Sequence, residues 1–164
     1  MEVTAHRGSV ALSAALILLL GGLLLAVSLE VYHVYSVAER VREKTDEAVL
    51  SVAAVNVGEF YGGARESDGN ARHPVGGGFS STVLTDAVLE DLAAALGGVK
   101  GTNSILDEGS YEIRDLQTVY ENTDGEILHF QTTLTLRVEL SLGGQLLPYV
   151  TLPLTVRSDY AAKF

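Results

Sequence analysis

The sequence predicts an α+β protein: a long N-terminal transmembrane-plus-stalk helix, a second amphipathic helix and a C-terminal three-stranded antiparallel β-meander. Three patterns carry this reading. Residues 10–29 (VALSAALILLLGGLLLAVSL) contain no charge and no proline, and at about 1.5 Å per residue such a run reaches roughly 30 Å, the thickness of a bilayer's hydrocarbon core. Apolar and small residues then recur at alternating spacings of three and four through Leu24, Val27, Val31, Val34, Ala38, Val41, Thr45, Ala48, Val52 and Val55, which is a heptad seam. From Phe130 onward apolar and polar residues alternate, the period of a strand with one buried face.

The expected division is a leader or cytoplasmic flank over 1–8, the transmembrane and stalk helix over 9–61, a Gly-rich loop over 62–79 and a small α+β head over 80–164. The hydrophobic region of a secretory signal is short and ends at a small-residue cleavage site. Here the run passes straight into Glu30-Val31-Tyr32-His33-Val34 without glycine or proline, so it reads as a retained anchor. Arg7 lies before it; Arg40, Arg42 and Lys44 lie well after it, interleaved with Glu39, Glu43, Asp46 and Glu47. Long domains translocate largely regardless of such charges, and the expected topology is N-terminus inside, head outside. Arg42 and Asp46 make the one favourable i,i+4 pair on the stalk. Glu30, Tyr32, His33 and Tyr35 read as anchors at the water boundary. Gly21-Gly22 would permit close helix approach or a kink, or is merely tolerated by lipid. The seam has two readings: it packs on the chain's own head, or on neighbouring copies.

Gly62-Gly63 should end the helix, and the stretch to Gly78 has loop composition. Its triple glycine lacks the Gly-Lys-Ser/Thr that a phosphate loop needs. Ser80 or Ser81 can cap a second helix over 82–96, with Val83, Leu84, Ala87, Val88, Leu92 and Leu96 on one face and Gly97-Gly98 as its stop. Asp86, Glu90 and Asp91 fall on the solvated side. In the meander, Asp124-Gly125 is a hairpin signal that sets Val119 opposite Phe130 and Ile113 opposite Leu136. After Gly143-Gly144, a bulged three-residue turn including Gln145 is needed to keep Val150, Leu152, Leu154 and Val156 on the core side. Pro148 and Pro153 lack donors and place the last strand at a sheet edge.

The formal net charge of -10 lies beyond the anchor, because Glu2 and Arg7 cancel. Such a head is repelled by phosphate backbones, which argues against nucleic acid as a partner. The absence of cysteine excludes disulfides, thiol catalysis and cysteine-ligated metals. His6, His33, His73 and His129 are scattered, no two with metal-ligand spacing, and Glu30 with His33 lacks the second half of a carboxylate metal motif. No serine sits in a Gly-x-Ser-x-Gly elbow. No cofactor and no catalytic group are expected; a membrane-tethered hydrolase would have to draw on Asp115 or His129.

A short polar leader ending in glycine (His6-Arg7-Gly8-Ser9-Val10-Ala11-Leu12), an apolar helix continuing as an amphipathic stalk, and a small α+β head resemble type IV pilin-like proteins. Within that group the chain looks most like the TadE-like pseudopilins of tight-adherence pilus systems. The resemblance implies a prepilin peptidase as partner, cleaving after Gly8 to leave Ser9 as the mature terminus. It also implies a membrane-held subunit that forms homo- or hetero-oligomers with other pilin-like subunits, packing through Leu24, Val27, Val31, Val34, Ala38 and Val41. The family's glutamate five residues into the mature chain is replaced by Ser13, a departure that points to a minor or accessory role. The competing expectation is a single-pass envelope protein whose head binds a protein or ligand without forming a filament.

Overall fold

The structure, a computed structural model, describes residues 3–66, 81–106, 111–122, 127–142 and 145–161. Ser80, most of the expected Gly-rich loop and the turns at Asp124-Gly125 and Gly143-Gly144 lie outside the described residues. Two helices, α1 (Val3–Glu66) and α2 (Ser81–Leu96), precede five strands: β1 (Val99–Lys100), β2 (Ser104–Leu106), β3 (Tyr111–Asn122), β4 (Ile127–Leu142) and β5 (Gln145–Ala161). The strands form one antiparallel sheet in the order β1-β2-β3-β4-β5. The α+β class stands, with five strands where three were expected. β1 and β2 have two and three residues, too few to show a period. Both helices lie on one face, α1 on β4 and β5, α2 on β3 and the β1–β2 hairpin, and the other face is open, as antiparallel sheets permit.

Helix α1 departs from expectation at its end and in its role. It runs through Gly62 and Gly63 to Glu66; a glycine costs a helix about 1 kcal/mol and does not by itself stop it. The stretch expected as a stalk is the central helix of the head. Val41, Thr45, Ala48, Val49, Val52 and Ala53 are buried, and Val34, Val37 and Ala38 pack against the same core. The head therefore begins inside α1 and not at residue 80. Arg42 pairs with Glu39 at 3.4 Å on the exposed side, not with Asp46, whose Oδ1 instead accepts the Ser158 hydroxyl of β5 at 2.5 Å.

Helix α2 buries Leu84, Val88, Leu92 and Leu96 as its spacing predicts, and also Leu89 and Ala93. The buried arc is wide because α2 has the sheet beneath it and α1 beside it. It ends where expected. Gly97 is left-handed (φ 72°), its N–H donates to Ala94 O (3.3 Å), and Gly98 N–H donates to Ala93 O (3.0 Å), the paired bonds of a Schellman stop. A Cβ on Gly98 would stand 2.6 Å from Ile105 Cγ2, so this glycine lets β2 close against the helix end.

The registers test the hairpin reading. Ile113 faces Leu136 as expected, but Val119 faces Gln131, and Phe130 faces Tyr120. The cause is a bulge: Asp115 (φ 53°) and Leu116 together oppose the single Leu134, with aspartate among the residues that tolerate the left-handed region. Past it the inward face moves from odd to even numbers, burying Leu116 and Thr118 and exposing Val119. The last hairpin also contains one extra residue, placed further along than expected. Leu142 pairs with Gln145, and Pro148 with Tyr149 takes up the shift opposite Glu139. Val150, Leu152, Leu154 and Val156 thereby share the helix-facing side with Val138, Leu136, Leu134 and Thr132. β5 is an edge strand, as its prolines suggested.

Candidate functional site

Among the described residues, exposed large apolar side chains are concentrated on the first half of α1. Its most apolar 18-residue window has a mean hydropathy of 2.7 and no part of it is buried. A core helix of the same composition would be mostly covered, whereas a membrane span or an N-terminal signal sequence would look like this one. Leucine and isoleucine occupy every side of the helix here, so no rotation could hide them against the head. Tyr32 and Tyr35 are exposed at its end, and Val34, the first residue to touch the head core, follows Glu30 by one turn. Gly21 and Gly22 are helical with nothing near a Cβ at either position.

The residues expected to act by helix packing divide into two groups. Leu24 and Val31 are 68% and 64% exposed, and Val27 is exposed too. Val34 and Ala38 pack on the head, and Val41 is wholly enclosed by it. This corrects the expectation that all six could meet a neighbouring copy: in Val34, Ala38 and Val41 the seam is occupied by the chain's own core. Gly8 and Ser9 lie within α1.

The open face of the sheet carries cross-strand polar groups. Glu112 on β3 accepts from Arg137 on β4 at 3.1 Å and from Arg114 at 2.6 Å, and the Arg137 guanidinium lies 3.5 Å from the ring centroid of Tyr149. Glu112 and Arg137 are register partners, and the salt bridge is mostly shielded, each side chain being 18% exposed. The hydrogen bond to Glu112 raises the pKa of Arg114 above its ordinary value. Towards the other end, His129 Nδ1 and Asp159 Oδ1 are 2.6 Å apart across β4 and β5. They border a shallow groove of ≈ 280 Å³ with Val119, Gln131 and Arg157. Neither cluster was singled out from sequence, though both are implied by the registers read there: the hairpin that sets Ile113 opposite Leu136 also sets Glu112 opposite Arg137, and the β4–β5 match sets His129 opposite Asp159.

Asp115 and His129 do not converge. Asp115 is at the β3 bulge opposite Leu134, five residues along β4 from His129, or roughly 17 Å at strand spacing. Among the described residues, no three histidine or acidic side chains are gathered as a metal would need. No family model, curated protein or solved structure matches the chain.

Proposed function

We propose that the chain is a membrane-anchored, pilin-like structural or assembly subunit of a pilus or secretion-type envelope system, with its head outside the membrane, acting by helix packing and not by catalysis. The observation that supports this reading is the continuity of α1. One helix is bare and apolar all round through Leu29, then becomes the central helix of the head without a break. Lipid covers the bare half in storage, and equivalent helices cover it in an assembly, so apolar surface stays out of water in both states. The surface available for that packing is Leu24, Val27, Val31 and the residues before them.

Cysteine scanning tests it, because the native chain has none. Single cysteines placed from Leu16 to Val31 should cross-link between copies in the native membrane with a helical period, strongest on one face. No cross-link at any of these positions would sink the reading. Mass spectrometry of the native N-terminus tests the peptidase: a chain beginning at Ser9 supports cleavage after Gly8, and one beginning at Met1 or Glu2 removes it. A second reading, a single-pass envelope protein whose head binds a partner without filament formation, is favoured by one observation. Val34, Ala38 and Val41 are already used inside the head, which shortens the surface left for other copies.

A further inference from the structure

The chain treats its sheet edges unequally. Beyond β2, which covers β3 only at Glu112, Ile113 and Arg114, the edge of β3 is met by α2: the Thr118 N–H donates to Thr85 Oγ1 at 3.1 Å. On β5, Pro148 and Pro153 remove donors from the first half of the strand. From Leu154 to Ala161 the strand has no proline, and among the described residues no strand lies on its outer side, away from β4. Long unprotected edges of this kind are templates for another strand.

The Thr118 bond also fixes which groups are free. Its N–H points away from β4, so Thr118 and Thr132, though paired, exchange no backbone bonds. They form a close pair, consistent with their hydroxyls lying 3.0 Å apart. Thr132 therefore bonds across to Val156, and the even-numbered residues of this part of β5 face β4 while the odd-numbered ones present N–H and C=O outward. Pro153, odd-numbered and without an N–H, fits that alternation.

From this geometry we infer that the Leu154–Ala161 edge of β5 pairs antiparallel with the same edge of a second copy of this chain, about a two-fold axis at Ser158. In that register the outward groups of Arg157 meet those of the partner's Asp159, and Thr155 meets the partner's Ala161. Arg157 and Asp159 are exposed on the open face, so the register also sets one guanidinium opposite one carboxylate on each side of the axis, two such pairs in all. Neighbouring registers of the same parity lose this: centring on Arg157 sets arginine against arginine, and centring on Asp159 sets aspartate against aspartate. Helix α1 rests on β4 and β5, about 5 Å from the axis at a strand spacing of about 4.8 Å. The two copies of α1 would thus run roughly 10 Å apart, a normal packing distance.

Such an axis is perpendicular to the sheet and reverses α1, which lies along the sheet face over five turns from Val34 to Ala53. On the reading of the bare half as an anchor, the two anchors leave in opposite directions and cannot enter one bilayer. The pairing joins chains held in two facing membranes.

The full chain in detergent micelles should sediment as a reversible dimer of protein. Thr155→Pro deletes an outward N–H without touching the β4 ladder and should weaken dimerisation at least tenfold. Arg157→Asp should weaken it similarly, and the double exchange Arg157→Asp with Asp159→Arg should restore it to within about threefold. Phosphatidylcholine liposomes bearing outward heads should cluster with the native chain and not with Thr155→Pro. A micellar monomer, a Thr155→Pro dimer of native strength, or no rescue by the double exchange overturns the pairing. Dimerisation without clustering overturns the two-membrane arrangement. Loss of the helix cross-links with the dimer intact refutes the assembly function alone.

Discussion

The two halves of α1 are one helix in two environments. From Val10 to Val31 the large side chains are leucine, isoleucine and valine on all sides, and they are exposed. From Val34 to Ala53 the residues that pack on the core are valine, alanine and threonine on one stripe, buried or half-buried against the sheet and α2. The halves differ in charge and hydropathy, and they differ also in how the apolar residues are distributed around the axis. A helix apolar all round has no face to give to water, while a striped one can lie on a sheet. The small residues of the second half also bring the helix backbone close to β4 and β5, where leucines would hold it away.

Substitutions can break this contrast. Val41→Asp should have the largest effect, because a carboxylate at a fully enclosed site without a partner costs on the order of 3–5 kcal/mol or more, a large part of an ordinary domain's stability. The near-ultraviolet tyrosine signal of the head should be lost while membrane association persists; a native signal would show that the enclosure is not needed. Leu89→Ala, opposite the same stripe on α2, should cost about 2–5 kcal/mol in urea unfolding. Thr85→Val keeps the shape but leaves the Thr118 N–H without its acceptor, and about 1–3 kcal/mol should be lost. Leu18→Ala should change head stability by less than about 0.5 kcal/mol, and a larger effect would mean that the bare half touches the head after all.

Much of this was legible in the residues, and the failures have particular causes. The stop of α2 at Gly97-Gly98, the inward faces of β4 and β5 and the edge position of β5 all follow from local spacing. The bulge at Asp115 hid because the expected device is a glycine, yet Ile113 followed by Leu116 already breaks strict alternation. The seam could not be assigned from spacing, since a valine and alanine stripe fits a sheet as well as another helix. Only the neighbours decide, and they lie far away in sequence. The polar pairs of the open face were within reach, because Glu112–Arg137 and His129–Asp159 follow from registers set by the apolar residues.

No glycine or proline interrupts α1 between Leu23 and Val57, and helices kink chiefly at such residues. The bare half and the sheet are therefore joined as a shaft is to a pointer. Whatever turns the shaft about its axis sweeps the sheet through the same angle, and a step of one residue around a helix is about 100°. On the proposed pairing, the direction in which the β5 edge points is then tied to the rotation of the N-terminal segment at the far end of the chain.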